Sequence, residues 1–348
     1  METGLEARGA WHQSRTGSRG VPFTAGKDDN GKGLRPVTIE EYLKLPGEEL
    51  HRSIDRMKKE RGAVFLVHNY QRLEVQRLAD HIGDSLALAQ AAARTRSRLI
   101  VFCGVHFMAE TAKLLNPDGK VIMPDTGAGC PMADMVTPES LRTAKRGYGD
   151  PMVAAYVNTS AAVKAESDIC CTSSNAVRVV GSLPRDRGIL FVPDRNLGSY
   201  AARMSGRDLI LWPGHCFVHD RITVDDVQKA REEHPRARLI VHPECRPEVA
   251  AQADEVASTS GMVKAVQERN GVDEWIIGTE TGLVEQLAAA HPGKGIHPLA
   301  ESAVCRNMKL TTLAKAAWAL EHEAGEIIVP QAVAGRARLA LERMLALG

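Results

Sequence analysis

An internal repeat constrains this chain more than any other feature. The segments AVFLVHNYQRLEVQRLAD (63–80), MVAAYVNTSAAVKAESD (152–168) and RLIVHPECRPEVAAQAD (238–254) superpose without gaps from their shared C-terminal Asp. His68, Tyr156 and His242 then occupy one position, Val75, Val163 and Val249 a second, and Asp80, Asp168 and Asp254 a third. Five residues beyond each Asp stands a hydroxyl, Ser85, Ser173 or Thr259, placed to open a second helix as an N-cap would. A second strand follows in every copy (IVFCG, LFVPD, WIIGT). VIMPD and LILWP then supply a third, with the weakly strand-like HPLAE in the matching place of the last copy. Each copy closes on a cysteine: Cys130, Cys216 and Cys305 are 86 and 89 residues apart, against 88 and 86 for the positions ending the first strands. A period of this size with matched chemistry means one structural unit used three times.

The unit is α/β. Apolar runs at Ala63–Val67, Leu99–Cys103, Val153–Tyr156, Ile189–Val192, Leu209–Trp212, Leu239–Val241 and Trp275–Ile277 are apolar on both faces and are each followed by a helical pattern. That is how strands of small parallel sheets covered by helices read. The expected fold is three homologous α/β/α units arranged around a pseudo-threefold axis. Residues 35–130 with 306–348 form the first unit, 131–216 the second and 217–305 the third. Pro330–Leu347 reads as an amphipathic helix opened by proline. Residues 1–34, rich in Gly, Arg, Ser and Asp, read as a disordered extension; Asp28 and Asp29 argue against a cleaved organellar peptide there.

Charge narrows the function classes. Lys plus Arg (44) and Asp plus Glu (43) nearly cancel, so no excess points to nucleic acid or an anionic membrane. The longest apolar run, Leu99–Ala109, contains His106 and is too short to span a bilayer, and no export leader is visible. A cytoplasmic chain with reduced thiols is expected, and its seven cysteines show no short-spaced disulfide or zinc pattern.

If equivalent loops converge on a common axis, Cys130, Cys216 and Cys305 meet there. Three thiolates suit an iron–sulfur cubane whose fourth iron has no protein ligand and is free to act as a Lewis acid. Zinc held by three cysteines and a fourth group is the rival metal, and three buried free cysteines the plainest alternative. The strand ends add His68-Asn69-Tyr70, Tyr156-Val157-Asn158 and His242-Pro243-Glu244, at the edge where parallel sheets carry their sites. Ser85, Ser173 and Thr259 at helix starts would suit carboxylate or phosphate, though each alone is also an ordinary cap. Adjacent Cys170 and Cys171 point to opposite faces of an extended stretch and make a poor ligand pair.

From about residue 38 onward the chain closely resembles the quinolinate synthase family. The resemblance lies in HNYQRLEVQRLADHIGDS, FCGVHFMAETAKLL, MPDTGAGCPMADM, YVNTSAAVKAESDICCTSSNAV, VPDRNLG, WPGHCFVHD, HPECRPEV, STSGM, GTETGL and VCRNMK. It implies a transferase with one [4Fe–4S] cluster per chain, condensing iminoaspartate with dihydroxyacetone phosphate to quinolinate, phosphate and water for NAD biosynthesis. It implies Cys130, Cys216 and Cys305 as cluster ligands and His68, Ser85, Tyr156, Asn158, Ser173, His219, His242, Glu244 and Thr259 as substrate contacts. Tyr70, Tyr156 and Glu244 are implied as the catalytic residues. An aspartate-oxidising enzyme is the implied functional partner. Some members carry a C-x-x-C pair near the last ligand; none stands near Cys305. Another [4Fe–4S] hydro-lyase, or a non-enzymatic iron–sulfur sensor, is the alternative reading.

Overall fold

The computed structural model describes residues 37–347, so the extension expected over residues 1–34 lies outside it. A first sheet is built from β1 (Ala63–His68), β2 (His81–Gly83), β3 (Leu99–Cys103) and β4 (Lys120–Ile122). A second comprises β5 (Met152–Tyr156), β6 (Ile169–Cys171), β7 (Ile189–Val192) and β8 (Ile210–Leu211). The third comprises β9 (Arg238–Val241), β10 (Glu255–Val256), β11 (Glu274–Gly278) and β12 (Gly295–Pro298). All pairings are parallel, and the order is the same three times: β2-β1-β3-β4, β6-β5-β7-β8 and β10-β9-β11-β12. The fold class expected from the repeat is the one observed. HPLAE, the weakest of the expected strands, contributes the end of β12.

The strands that sit centrally are those with unbroken apolar sequence, because helices cover both faces of the sheets. Phe65, Phe102, Phe191 and Trp275 are fully or almost fully buried, and one apolar cluster runs through all three sheets. The edge strands β2, β6 and β10 have only two or three residues each and carry no periodicity; the sequence reading passes over them.

What makes the repeat fold alike is a clamp between its first strand and its invariant Asp. Asp80 Oδ2 accepts from the Phe65 N–H, Asp168 Oδ2 from Val153 and Asp254 Oδ2 from Leu239, each at 2.7 Å. The Asp backbone N–H returns a bond to the same residue's carbonyl at 3.0, 3.0 and 2.9 Å. The intervening chain turns through the short helices Leu73–Gln76, Ala161–Lys164 and Pro247–Ala250, pinned by fully buried Val75, Val163 and Val249.

The hydroxyls at 85, 173 and 259 are not the caps expected of them. Asp84 caps the helix Ser85–Arg94 by accepting from Ala87 N at 2.9 Å, and Ser258 caps Thr259–Glu268 by accepting from Gly261 N at 3.2 Å. A cap must be extended to reach back to the first turn; Ser85 and Thr259 are already helical. In the second copy Asn175 Oδ1 accepts from Thr172 N at 2.8 Å, a turn that delays the helix to Ala176–Ser182 and leaves Ser173 ahead of it. The caps of the first and third copies meet through a serine of the second: Ser174 Oγ donates to Asp84 Oδ2 at 2.5 Å and lies 2.8 Å from Ser258 Oγ.

The C-terminal helix runs Gln331–Ala346, with Pro330 before it as expected. It packs on the helix His106–Leu115 and also on Ala161–Lys164 and β6, and so ties the first sheet region to the second. Arg338 donates to Leu114 O at 2.7 Å and Arg343 to Asp168 O at 2.6 Å.

Asp168→Ala removes the side-chain half of one clamp and leaves the Val153 N–H without its partner. It is expected to lower stability by about 1–3 kcal/mol, measured as the urea midpoint shift against the parent protein.

Candidate active site

The C-terminal ends of the central strands open into one cavity. β1 delivers His68 and Tyr70, β5 delivers Tyr156 and Asn158, and β9 delivers His242 and Glu244. Ser85, Ser173, Thr259 and His219 line the same space, as do Cys130, Cys216 and Cys305. Every residue expected as a ligand, substrate contact or catalytic group thus lines one cavity, while the middle residues of the strand-end triplets, Asn69, Val157 and Pro243, do not. Cys103, Cys170, Cys171 and Cys245 are fully buried elsewhere and do not line it.

The three cysteine loops are built alike. A 3₁₀ turn starts three residues after each cysteine, at Ala133, His219 and Met308. Seven residues after each stands a threonine, Thr137, Thr223 or Thr312, that caps the next helix. The backbone N–H groups of Ala133, His219 and Met308 hydrogen-bond to the sulfur of their own loop and favour its thiolate. In the second and third copies a buried carboxylate fixes the loop from behind. Asp194 accepts from Cys216 N at 3.0 Å while capping the helix Arg195–Ser205, and Glu280 accepts from Cys305 N at 3.0 Å while capping Thr281–Ala290. The Cys130 loop has no such carboxylate; His106 N donates instead to Ala128 O at 2.8 Å.

Burial pushes the Cys130 thiol up to about 12 and raises Cys216 and Cys305 as well; Cys130 adds to the rise at Cys216, and Cys305 to that at Cys130. Thiolates in such a place need a compensating cation, which is what a bound metal centre provides. Among the described residues, the donors in this cavity that lie within 4.8 Å of one another are those of Cys216, His219 and Glu244. Those three are committed to each other: His219 Nδ1 is 2.6 Å from Glu244 Oε2 and 3.3 Å from Cys216 Sγ. The three sulfurs are not gathered as ligands of a single ion are.

Glu244 lies at the centre of a hydrogen-bonded chain that crosses all three sheets. Tyr156 OH donates to Glu244 Oε1 at 2.6 Å, and His219 Nδ1 donates to Oε2. His219 Nε2 is 2.8 Å from Thr279 Oγ1, which is 2.6 Å from Tyr70 OH. With Nδ1 carrying its proton toward Glu244, the order Tyr70→Thr279→His219→Glu244 satisfies every group. Burial alone would raise the Glu244 carboxyl, but His219, His242 and these hydrogen bonds outweigh it and bring it down to about 2. Burial lowers His68 to about 4 and His242 to about 3, so both are neutral at physiological pH. The two tyrosines are pushed well above their usual range by burial and by Glu244.

Thr279 was missed by the sequence reading, although it lies in the quoted GTETGL segment. A threonine just past a strand carries no chemical signal until its neighbours are known. Asn158, which was singled out, has a buried Oδ1 without a hydrogen-bond partner among the described residues, at the wall of the cavity. Among the described residues, Lys and Arg are absent from the lining.

The family model described as Quinolinate synthetase A protein matches residues 52–346. The quinolinate synthase of Desulforudis audaxviator is 54% identical over 300 residues, covering 86% of this chain and 99% of the relative. That of Methanoregula boonei is 54% identical over 298 residues (86% and 98%), and that of Geobacter metallireducens 48% over 303 (87% and 99%).

The carboxylate of Glu244 is buried, so its donors are structural as well as chemical. His219→Ala is expected to destabilise the fold by about 3 kcal/mol or more, read from urea unfolding, with His219→Gln losing less because an amide N–H can still reach the carboxylate.

Proposed function

The chain belongs to the quinolinate synthase family, and from that premise we propose that it makes quinolinate by joining iminoaspartate to dihydroxyacetone phosphate at the strand-end cavity. Cys130, Cys216 and Cys305 would hold one [4Fe–4S] cluster. The observation that carries this reading is the convergence of three like-built cysteine loops on one cavity together with Glu244 and three hydroxyl side chains. The donor set fits the group: three thiols, with N–H bonds to sulfur in each loop. When bound, such a cluster supplies one iron without a protein ligand, a Lewis acid for a substrate oxygen or nitrogen.

The chain's own residues account for the rest of the chemistry. Both substrates are anions, yet among the described residues the lining has no Lys or Arg. Their carboxylates and phosphate are held by the hydroxyls of Ser85, Ser173 and Thr259, by Asn158, and by the N-termini of the helices Ser85–Arg94 and Thr259–Glu268. His242 Nε2, 3.2 Å from Ser173 Oγ, orients that hydroxyl. His68 accepts from Tyr70 N at 3.1 Å through Nδ1, which leaves Nε2 to donate to a substrate oxygen. Glu244, ionised and buried, is the base that takes a proton from substrate carbon, and Tyr156 at 2.6 Å is the nearest acid to return one. The chain from Tyr70 through Thr279 and His219 is oriented to deliver a proton toward Glu244. Asp194 and Glu280 act as positioning residues, each holding the backbone of a cluster cysteine.

Joining two substrates with loss of phosphate makes the enzyme a transferase. Iminoaspartate hydrolyses readily, so an aspartate-oxidising enzyme working alongside is the expected source. No helix of the described residues is long and apolar enough to cross a membrane, and cluster thiolates favour the reducing cytoplasm.

Cys216→Ala is expected to abolish both the brown chromophore of anaerobically purified protein and quinolinate formation from the two substrates. A colourless, active variant would overturn the cluster assignment, while a chromophore-bearing parent that makes no quinolinate would point to another hydro-lyase. Glu244→Gln is expected to keep its iron and sulfide and to lose turnover by about 10²-fold or more. Parental turnover in that variant removes Glu244 from proton transfer.

A further inference from the structure

Away from the cavity, the third sheet carries a second convergence of ligand-type side chains. Glu274 is the first residue of β11, whose other end, Gly278, leads to Thr279 in the active site; the four residue steps between them span roughly 13 Å. His297 lies in β12, which pairs with β11 so that Glu274 faces Gly295 and Ile276 faces His297. Alternation along the strands puts Glu274 and His297 on the same sheet face as partners one diagonal apart. His234 follows the helix Val224–Glu233, which covers that face. Three elements distant in sequence thus bring two imidazoles and a carboxylate together.

Their donor atoms are spaced as those around an ion are. His234 Nδ1 and His297 Nε2 approach the same oxygen, Glu274 Oε1, at 3.2 and 3.3 Å. Zinc–ligand distances of about 2.0–2.1 Å give a tetrahedral edge of roughly 3.3–3.4 Å. Charge-assisted N–H···O bonds are shorter, about 2.7–2.9 Å. The three donor atoms lie within 4.8 Å of one another. The two rings stack with centroids 3.5 Å apart and planes 15° apart, closer than two imidazoles radiating from one ion stand, so binding requires the rings to fan apart about their donor nitrogens. A Cβ at position 295 would come to 3.1 Å from both Glu274 Cγ and His297 Nε2, so glycine there keeps the space that the two side chains use. Burial and His234 hold the His297 imidazole below its usual range, which keeps it neutral and able to coordinate. All three side chains are 26–29% exposed, enough for solvent to supply a remaining ligand.

We propose that His234, Glu274 and His297 form a binding site for a divalent cation of the zinc type, distinct from the cysteine cavity. The ion staples the end of one helix to two strands of the third sheet, and its role is structural. Its stabilisation follows mass action and grows with free metal.

The test uses the full chain, purified anaerobically with its iron content measured, dialysed against micromolar zinc chloride and analysed for metal. The parent is expected to take up one zinc per chain beyond any bound by Glu274→Gln or by the double variant His234→Gln/His297→Gln, with iron unchanged. Each variant is expected to bind zinc at this site at least about tenfold more weakly, and zinc is expected to raise the parent's melting temperature but not theirs. Glu274→Gln keeps the size of the side chain, so it serves if the double variant fails to fold. Equal zinc uptake and equal thermal response in parent and Glu274→Gln would show the three side chains to be a hydrogen-bonded surface cluster only. Zinc uptake matched by loss of iron would place the metal at the cysteines and equally overturn the proposal.

Discussion

A carboxylate taken out of water loses several kcal/mol of solvation unless its oxygens find donors in good geometry. Glu244 meets that demand with Tyr156 on one oxygen and His219 on the other, both at 2.6 Å. Tyr156 comes from the second sheet, while His219 sits in the cysteine loop that follows it and reaches, through Thr279, to Tyr70 after the first sheet's opening strand. The ion therefore depends on all three sheets being in place. A group ionised this deeply, with donors fixed on both oxygens, is suited to accepting a proton without rearrangement. The requirement that Glu244 be satisfied and the requirement that three units dock are met by the same bonds.

Repetition supplies the frame and divergence supplies the chemistry. The backbone slot at the end of the opening strand is filled by His68, Tyr156 and His242, so one position in three copies gives two neutral imidazoles and a phenol. The slot before each second-helix hydroxyl holds Asp84, Thr172 and Ser258; two serve as caps, and the third yields to Asn175. The cysteine loops diverge least, each with its 3₁₀ turn and threonine cap at the same offsets. Under the proposed chemistry three equivalent thiols reach one centre, and an unequal loop would displace its sulfur. The Cys130 loop nevertheless lacks the buried carboxylate that Asp194 and Glu280 provide.

The parts of this architecture legible in the sequence were those written in period or in rare residue types. Six of the seven apolar runs marked the central strands because burial on both faces demands unbroken hydrophobicity there, while the seventh, Leu209–Trp212, fell on the edge strand β8. The matched cysteines, histidines and hydroxyls marked the cavity because a repeat places equivalent residues equivalently. β2, β6 and β10 were illegible, since two or three edge residues have no room for a pattern. The helix caps were misassigned by one residue in two copies and by two in the other, because Ser85 and Thr259 are as cap-like in composition as Asp84 and Ser258; only backbone extension separates them. Thr279 and the pair Asp194 and Glu280 went unremarked for a related reason. Each works through a contact with a residue distant in sequence, and neither composition nor spacing records that.

Charge explains why the cavity is arranged as it is. Among the described residues its lining combines two acids besides Glu244, namely Asp84 and Glu280, with three thiols and without Lys or Arg. Such a space would repel anionic reactants as long as its own anions stood unanswered. Asp84 is answered by the Ala87 N–H and Ser174, and Glu280 by Lys309 at 3.0 Å and by two backbone N–H groups. Glu244 is answered by His219 and Tyr156. That leaves the thiols, whose ionisation burial opposes. Under the proposed chemistry, the cationic charge that makes them thiolates is the same charge that draws in the substrates, so ligand binding and substrate binding share one electrostatic source. Hydroxyls and helix N-termini then need only orient the anions, a task for neutral donors of fixed direction. A lysine in their place would compete for the substrates' charge without fixing their geometry.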